Sequence, residues 1–255
     1  MLDTVLPESC RRSRADRYVR WSGLAVGAVA APLLASMDTS DFGDDYGMPL
    51  VLAITAFGLC VVGGVLLGDA LTPRPREAVR TAGLTPRRVR DHVPPRATPL
   101  LLLQAVSLVV LLVIGAATAS PDVLGRAGRA VTWSCDGADQ PLGPWPGLFY
   151  GIPIAVSLGV GTAACAWALR RIAHRPGDDQ QRRDRCWMIA AAWGVLVSSQ
   201  LLLVVLMIAV VLTHTSCAAT LGTVTALVIY PLGLLGLVTL AWSLFTVMAP
   251  RAARR

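Results

Sequence analysis

The sequence predicts an all-α fold, a polytopic transmembrane helical bundle of six spans with both the N and C termini in the cytoplasm. Of the 255 residues, 54% are hydrophobic and only 15% are charged, with a mean hydropathy of +0.58. A soluble domain carries about 25% charged residues. The apolar residues come in long blocks, and a block of roughly 20 crosses a bilayer. Arginine falls almost entirely in alternate loops between these blocks.

The six predicted spans form one membrane domain over residues 18–248, between polar tails at 1–17 and 249–255. The spans cover residues 18–36, 48–70, 98–118, 149–170, 187–213 and 219–248. Span one is diluted by Gly and Ala, so a cleaved signal peptide is the alternative there, although no clean A-x-A site follows it. Span six is long enough to need tilt or a kink, and its Pro231 removes one helix hydrogen bond. No loop exceeds about 30 residues, which is too few for a separate catalytic core.

The distribution of arginine sets the predicted orientation. All 23 basic residues are Arg, and 21 of them lie in or beside the two tails and the loops at 71–97 and 171–186. The other two, Arg126 and Arg129, lie in an alternate loop. Cytoplasmic loops carry the excess of basic residues, so the asymmetry places both termini inside and the chain in the cell membrane. The net charge of +7 therefore belongs to loops beside a lipid bilayer, and no nucleic-acid partner is predicted.

Two cysteines, Cys135 and Cys217, fall in the predicted outer loops. Of the other four, two lie on the cytoplasmic side and two within spans. Disulfides persist outside the cytoplasm and are rare within it, so we predict a bond between Cys135 and Cys217. It would close a loop of about 80 residues and contribute roughly 4 kcal/mol by chain entropy. Two free thiols, or one reactive cysteine, are the alternative.

Few polar side chains fall inside the predicted spans. Asp69 lies at the inner end of span two, where it can reach the interface or pair with Arg74. The neutral polar candidates in spans three, five and six are Gln104, Ser198, Ser199, Gln200 and Tyr230. Gln200 and Tyr230 fall at similar depth, so a hydrogen bond between spans five and six is predicted. These side chains either hold helices together, at about 1 kcal/mol for each bond, or line a polar cavity for a ligand.

Aromatic and small residues give two further predictions about the spans. Trp145 and Tyr150 are expected at the outer boundary, because amphipathic rings favour the headgroup layer. Small residues at four-residue spacing, such as Gly23 with Gly27 and Gly64 with Gly68, allow helices to approach closely. They predict tight helix packing or an oligomer contact.

The loop between spans two and three, RPREAVRTAGLTPRRVRDHVPPR, is predicted to form two short helices at the inner surface. Its arginines can contact anionic lipid, at about 1 kcal/mol each, or dock a cytoplasmic partner. The candidates are Arg80, Arg87, Arg88 and Arg90.

Part of this loop carries a family resemblance. Residues 76–93, REAVRTAGLTPRRVRDHV, resemble the cytoplasmic loop of lipoprotein-release and cell-division type ABC permeases. That family has four spans and a large outer domain, and this chain departs from it in both. As a whole, the chain resembles the small six-span integral membrane proteins of actinobacteria, which implies no activity.

The sequence shows no motif for catalysis. HExxH, GxSxG, P-loop and Rossmann patterns are absent, and the three His lie in different loops, so neither a metal nor a cofactor is predicted. The leading hypothesis is a non-enzymatic accessory, sensing or assembly subunit, with a protein partner or a second copy of itself. The alternatives are a transporter or ABC permease subunit and a membrane-embedded enzyme acting on lipid.

Overall fold

The fold is a bundle of helices with one small hairpin. The computed structural model describes residues 8–36, 47–71, 97–135, 138–173, 179–214, 223 and 225–249. The helices are α1 (Glu8–Ala35), α2 (Gly47–Leu71), α3 (Ala97–Thr118), α4 (Leu148–Ala173), α5 (Asp179–His214) and α6 (Tyr230–Met248), and the strands are β1 (Val131–Cys135) and β2 (Ala138–Leu142). A π-helical turn, Thr225–Ile229, leads directly into α6.

The predicted all-α class is confirmed for the described residues. Five helical stretches in them are long and apolar enough to cross a bilayer, and they lie in α2 to α6. Helices α3, α4 and α6 expose wide apolar faces, which in water would aggregate and which lipid chains cover. The exposed side chains include Leu102, Val106, Val113, Ile152, Val156, Leu237 and Phe245. The chain is therefore a helical membrane protein.

Helix α5 occupies the centre of the bundle. It packs against α2, α3, α4 and α6, and 72% of its apolar stretch is buried, against 22–44% for the other four. A helix that is apolar on all sides is covered by protein or by lipid, and most of α5 is covered by protein. Its side chains Leu196, Leu201 and Val204 are fully buried. The axis of the bundle is therefore filled by side chains.

The two ends of the bundle differ in charge. At one end, here called the basic end, α4 finishes with Arg170 and Arg171, and α5 begins with three arginines between 182 and 185. At the opposite end, the chain between α3 and α4 folds over the helices. We call this segment, residues 119–147, the outer cap, because it lies in a loop that the sequence predicts to be outside.

An ion pair joins α2 to α5 at the basic end. Arg185 Nη1 donates to Asp69 Oδ1 at 2.9 Å, and the two side chains are only 16% and 12% exposed. Arg74 was predicted as a partner for Asp69. Arg74 lies outside the described residues, so that pairing stays a prediction, and Arg185 is a partner of Asp69 that the sequence did not indicate. Because the pair is largely removed from water, loss of one partner is expected to destabilise the packing of α2 on α5.

Helix α1 packs along α2 through glycine. A β-carbon on Gly23 would lie 2.7 Å from the Gly64 Cα, and one on Gly27 would lie 3.0 Å from the Phe57 ring. The helices therefore run antiparallel at backbone contact, which only residues without a side chain allow. The predicted close packing holds for Gly23, Gly27 and Gly64. The apolar part of α1, Trp21–Ala35, is shorter than the other five stretches.

The outer cap contains an antiparallel β-hairpin, which was not among the elements predicted from the sequence. Strands β1 and β2 pair from Val131↔Leu142 to Cys135↔Ala138. The register leaves two residues between the strands, Asp136 and Gly137. Asp-Gly is a preferred dipeptide for a two-residue hairpin connection, so this signal was present in the sequence.

Candidate functional site

Trp145 fixes the outer cap to the end of α3. Its indole Nε1 donates to the Gly115 carbonyl at 3.1 Å and lies 3.0 Å from Thr118 Oγ1. Its backbone N–H donates to the Arg129 carbonyl at 3.0 Å. Trp145 is only 8% exposed and Tyr150 only 2%. The prediction of Trp145 and Tyr150 as aromatics of the headgroup layer therefore needs correction, because both rings are buried between the cap and the helices.

A second set of bonds orders the turn within the cap that contains Asp122 and Arg126. Asp122 Oδ1 accepts the backbone N–H groups of Leu124 and Arg126, and Oδ2 accepts Arg126 Nε at 2.7 Å. Burial raises the pKa of Asp122, but the Arg126 and Leu124 backbone donors and the Arg126 guanidinium lower it by more. The net pKa lies below the ordinary value. The turn therefore keeps a charged carboxylate at neutral pH.

A cavity of about 470 Å³ lies between this cap and the helices. Its apolar wall comes chiefly from α5 and from the start of α2, while Asp122, Arg126 and Arg129 supply the charged groups. The α5 side chains of the wall are Leu203, Leu206, Met207 and Val210. The volume falls within the range of about 300–1,000 Å³ found for small-molecule sites. An apolar wall with a few charged groups on one side suits an amphipathic molecule.

A buried polar cluster near the middle of the bundle links three helices. Gln104 Nε2 on α3 donates to Thr239 Oγ1 on α6 at 2.6 Å and to the Leu235 carbonyl at 3.2 Å. Ser198 Oγ on α5 donates to Gln104 Oε1 at 3.0 Å and also lies 3.0 Å from Thr239 Oγ1. Gln104, Ser198 and Thr239 are at most 3% exposed. Mutual hydrogen bonds therefore satisfy their polar groups in the apolar interior.

The other three predicted polar residues do not join this cluster. Gln200 Nε2 donates to Ser157 Oγ on α4 at 2.6 Å, and Ser199 Oγ donates to the Leu196 carbonyl of its own helix at 3.2 Å. Tyr230 is 55% exposed. The predicted bond between Gln200 and Tyr230 is therefore corrected: the partner of Gln200 is Ser157, on span four. Gln200 Oε1 is buried without a hydrogen-bond partner.

The Gln104 cluster gives a prediction about stability. The variant Gln104→Leu removes the side chain that joins α3 to both α5 and α6, and we expect it to lower the free energy of unfolding by about 1 kcal/mol. A double-mutant cycle of Gln104→Leu with Thr239→Val should show a coupling free energy of roughly 0.6–1.7 kcal/mol. The measurement is reversible unfolding in mixed micelles.

Thr55→Val is the matched control for that cycle. The Thr55 hydroxyl is buried but donates to carbonyls of its own helix, those of Val51 and Leu52. The variant Thr55→Val should therefore show no coupling free energy with Gln104→Leu. A coupling near zero for Gln104 with Thr239 would contradict the assignment of the cluster as a link between helices.

Two groups of predicted site residues are not among the residues that the structure describes. Cys217 and the loop arginines, Arg80, Arg87, Arg88 and Arg90, are not among the described residues, and of Cys135 only the backbone in β1 is described. The proposed disulfide and the proposed docking site therefore stay predictions. The cysteines with described side chains, Cys60, Cys165 and Cys186, are free thiols.

Several features of the site were missed by sequence reasoning. Ser157 and Thr239 carry no signal of their own, because single hydroxyl residues are common in spans and their partners lie far along the chain. Trp145 was singled out only as an aromatic residue expected at the outer boundary. The cavity forms where α2, α5 and the cap meet. These segments are far apart in the sequence, so no local sequence pattern predicts it.

In the comparisons with known proteins, no family model, no curated protein and no solved structure matches the chain. Residues 76–93, which carry the permease resemblance, lie within the undescribed loop.

Proposed function

We propose that the protein is a non-enzymatic accessory subunit of the cell membrane, which presents the outer cap to a partner or ligand on the outer side. The observation that carries this proposal is the combination of an ordered cap with a bundle whose axis is filled by the side chains of α5. Rigidly supported loops are where binding residues concentrate. Trp145 and the Asp122–Arg126 turn supply that support, with five hydrogen bonds to side-chain or backbone atoms.

The proposal includes six spans with both termini in the cytoplasm. Support for the sixth span comes from the antiparallel packing of α1 on α2. The Gly23–Gly64 contact sets Trp21–Ala35 beside the apolar part of α2, so this part of α1 lies in the same layer of the bilayer as the part of α2 that it contacts. Support for the orientation comes from the arginines gathered at the basic end, since cytoplasmic faces are enriched in basic residues.

The filled axis weighs against the transporter alternative. A substrate path through the bundle would have to displace α5 side chains such as Leu196, Leu201 and Val204, which are fully buried. The lipid-enzyme alternative needs a polar cavity among the buried polar residues or at the basic end. The cavity described above lies against the cap, and neither Gln200 nor a described residue of the basic end lines it.

Single-cysteine labelling in intact cells tests the orientation. Val123→Cys in the cap, at a position 83% exposed, should react with a membrane-impermeant maleimide. Arg171→Cys, at an exposed position of the basic end, should react only after permeabilisation. If Arg171→Cys were labelled in intact cells and Val123→Cys were not, the proposed orientation would be wrong.

Site-specific photo-cross-linking tests the role of the cap. A photoreactive residue at Thr132, exposed in β1, should give a discrete protein adduct, whereas one at Val160, exposed on α4, should give none. The adduct should copurify with the untagged chain at fixed stoichiometry. A chain that is monomeric and adduct-free at both positions would refute the subunit proposal.

A further inference from the structure

The cavity under the outer cap has a buried floor and an exposed rim, and α5 contributes to both. Leu203 and Met207 line the cavity and are only 2% and 3% exposed, so we call them the floor. Leu206 and Val210 also line it and are 55% and 38% exposed, so we call them the rim. From Val210 to Leu203 this wall runs about 10 Å along the helix toward the middle of the bundle.

The rim is continuous with the surface of the bundle that lipid covers. Leu50 on α2 also lines the cavity and is 40% exposed, so α2 and α5 both place exposed apolar side chains at its edge. Leu50 and Leu206 lie within the stretches Gly47–Leu71 and Arg182–Thr213, which are long and apolar enough to cross a bilayer. A hydrocarbon chain in the bilayer therefore reaches the floor sideways, without crossing water.

Dispersion contacts favour a hydrocarbon chain over water at the floor. A buried water molecule needs about two to four polar partners, which the side chains of Leu203, Leu206 and Val210 do not offer. An unfilled space beside such side chains forgoes the contacts that neighbouring atoms would make. A chain that lies along the wall restores these contacts, which are also what drives association between apolar surfaces inside a bilayer.

The charged groups on the cap side of the cavity are already engaged within the protein. Asp122 and Arg126 form an ion pair at 2.7 Å, and the Arg129 guanidinium carbon lies 3.7 Å from the centre of the Phe149 ring. Both arginines make further interactions. The choice of ligand therefore depends on the apolar wall and not on a charge that a headgroup would have to supply.

We propose that the cavity binds one acyl chain of a phospholipid of the outer leaflet, which enters across the rim and lies along the floor. The volume of about 470 Å³ lies in the lower half of the range for small-molecule sites and suits one chain rather than two. The leaflet rests on the proposed function, which places the cap on the outer side. The sideways entry rests only on the floor and the rim.

Photolabelling of the whole protein in nanodiscs tests this assignment. The probe is a phosphatidylcholine with a diazirine in the middle of one acyl chain, and labelled residues are located by tandem mass spectrometry. We expect label at the floor, on Leu203 or Met207, as well as at the rim. Lipid that only surrounds the bundle reaches the rim alone, so label confined to Leu206 and Val210 would overturn the assignment.

Substitutions at the rim test whether the chain enters there. Leu206→Trp places a large ring at the entrance and should lower labelling of the floor about tenfold. If this variant lowers the melting temperature of the protein, Val210→Trp at the other rim position serves instead. Leu237→Trp, on α6 at a position 56% exposed and away from the cavity lining, is the matched control and should leave floor labelling unchanged. Equal floor labelling in the rim variant and the wild type would contradict entry across the rim.

A second probe separates recognition of the chain from recognition of the headgroup. A phosphatidylglycerol with the same labelled chain should label the floor to within about tenfold of the phosphatidylcholine probe, and a larger preference for either headgroup would overturn the assignment. The maleimide and cross-linking tests read out the side and the partner of the cap, and neither depends on label at the floor. Failure of the acyl-chain site and failure of the proposed function are therefore distinguishable.

Discussion

Trp145→Ala should lower the free energy of unfolding by about 3–5 kcal/mol, the range for removal of a large buried aromatic side chain. The indole is 8% exposed and fills the space between the outer cap and the end of α3. Its N–H donates to the Gly115 carbonyl at 3.1 Å. Without the ring the cap loses the indole hydrogen bonds to Gly115 and Thr118, so proteolysis within residues 119–147 should also become faster. Thermal unfolding in detergent and limited proteolysis measure the two effects.

Two further variants test whether the loss of stability depends on the buried position of Trp145 and on its hydrogen-bond donor. Trp167→Ala removes the same side chain from α4, where it is 61% exposed, and should change stability by less than about 0.5 kcal/mol. Trp145→Phe keeps most of the ring but loses the donor, and should fall between wild type and Trp145→Ala. If Trp145→Ala and Trp167→Ala were equally stable, Trp145 would not be the attachment of the cap.

Gly64→Leu should separate α1 from α2. A β-carbon at Gly64 would already lie 2.7 Å from the Gly23 Cα. Because Gly23 Cα is a backbone atom, it can move away only if the helix around it moves too. Overpacking of this kind costs about 1–3 kcal/mol. Because α1 contacts the rest of the bundle mainly through α2, we expect α1 to detach rather than the whole bundle to unfold. Cross-linking between cysteines introduced at Gly27 and Phe57, where loss of the Phe57 ring makes room for the side chain at position 27, should therefore be lost.

The neighbouring glycine provides the control for this prediction. Gly63→Leu places the same side chain one residue away, where a β-carbon meets no heavy atom within 4 Å. It should preserve cross-linking and stability. Equal loss of cross-linking in Gly63→Leu and Gly64→Leu would show that α1 is not held by the glycine contact.

Much of the fold was predictable because membrane insertion depends on local composition. The predicted spans 48–70, 98–118 and 149–170 differ from α2, α3 and α4 by three residues or fewer at each end. Hydropathy can be summed along a segment, and the cost of an unpaired backbone polar group in lipid makes such a segment helical whatever its neighbours are. The weak hydropathy predicted for span one reappears in the short apolar part of α1, Trp21–Ala35.

The candidate site was predictable only in part. Gln104 and Ser198 were singled out as polar residues in apolar spans, and the structure brings them together. Their shared partner Thr239 is 135 residues from Gln104 along the chain, and the partner of Gln200 proved to be Ser157 rather than Tyr230. Side-chain depth can be estimated from a sequence, but the face of a helix that meets a given neighbour cannot.

The sequence by itself determined that this chain is a helical membrane protein, because hydropathy is a property of each segment alone. The tertiary structure decided that α5 is the central helix, that Arg185 pairs with Asp69, and that Trp145 holds a hairpin-containing cap over a cavity. Each of these depends on contacts between segments far apart in the chain. Such contacts are selected by packing and hydrogen-bond geometry in three dimensions, which the order of residues does not display.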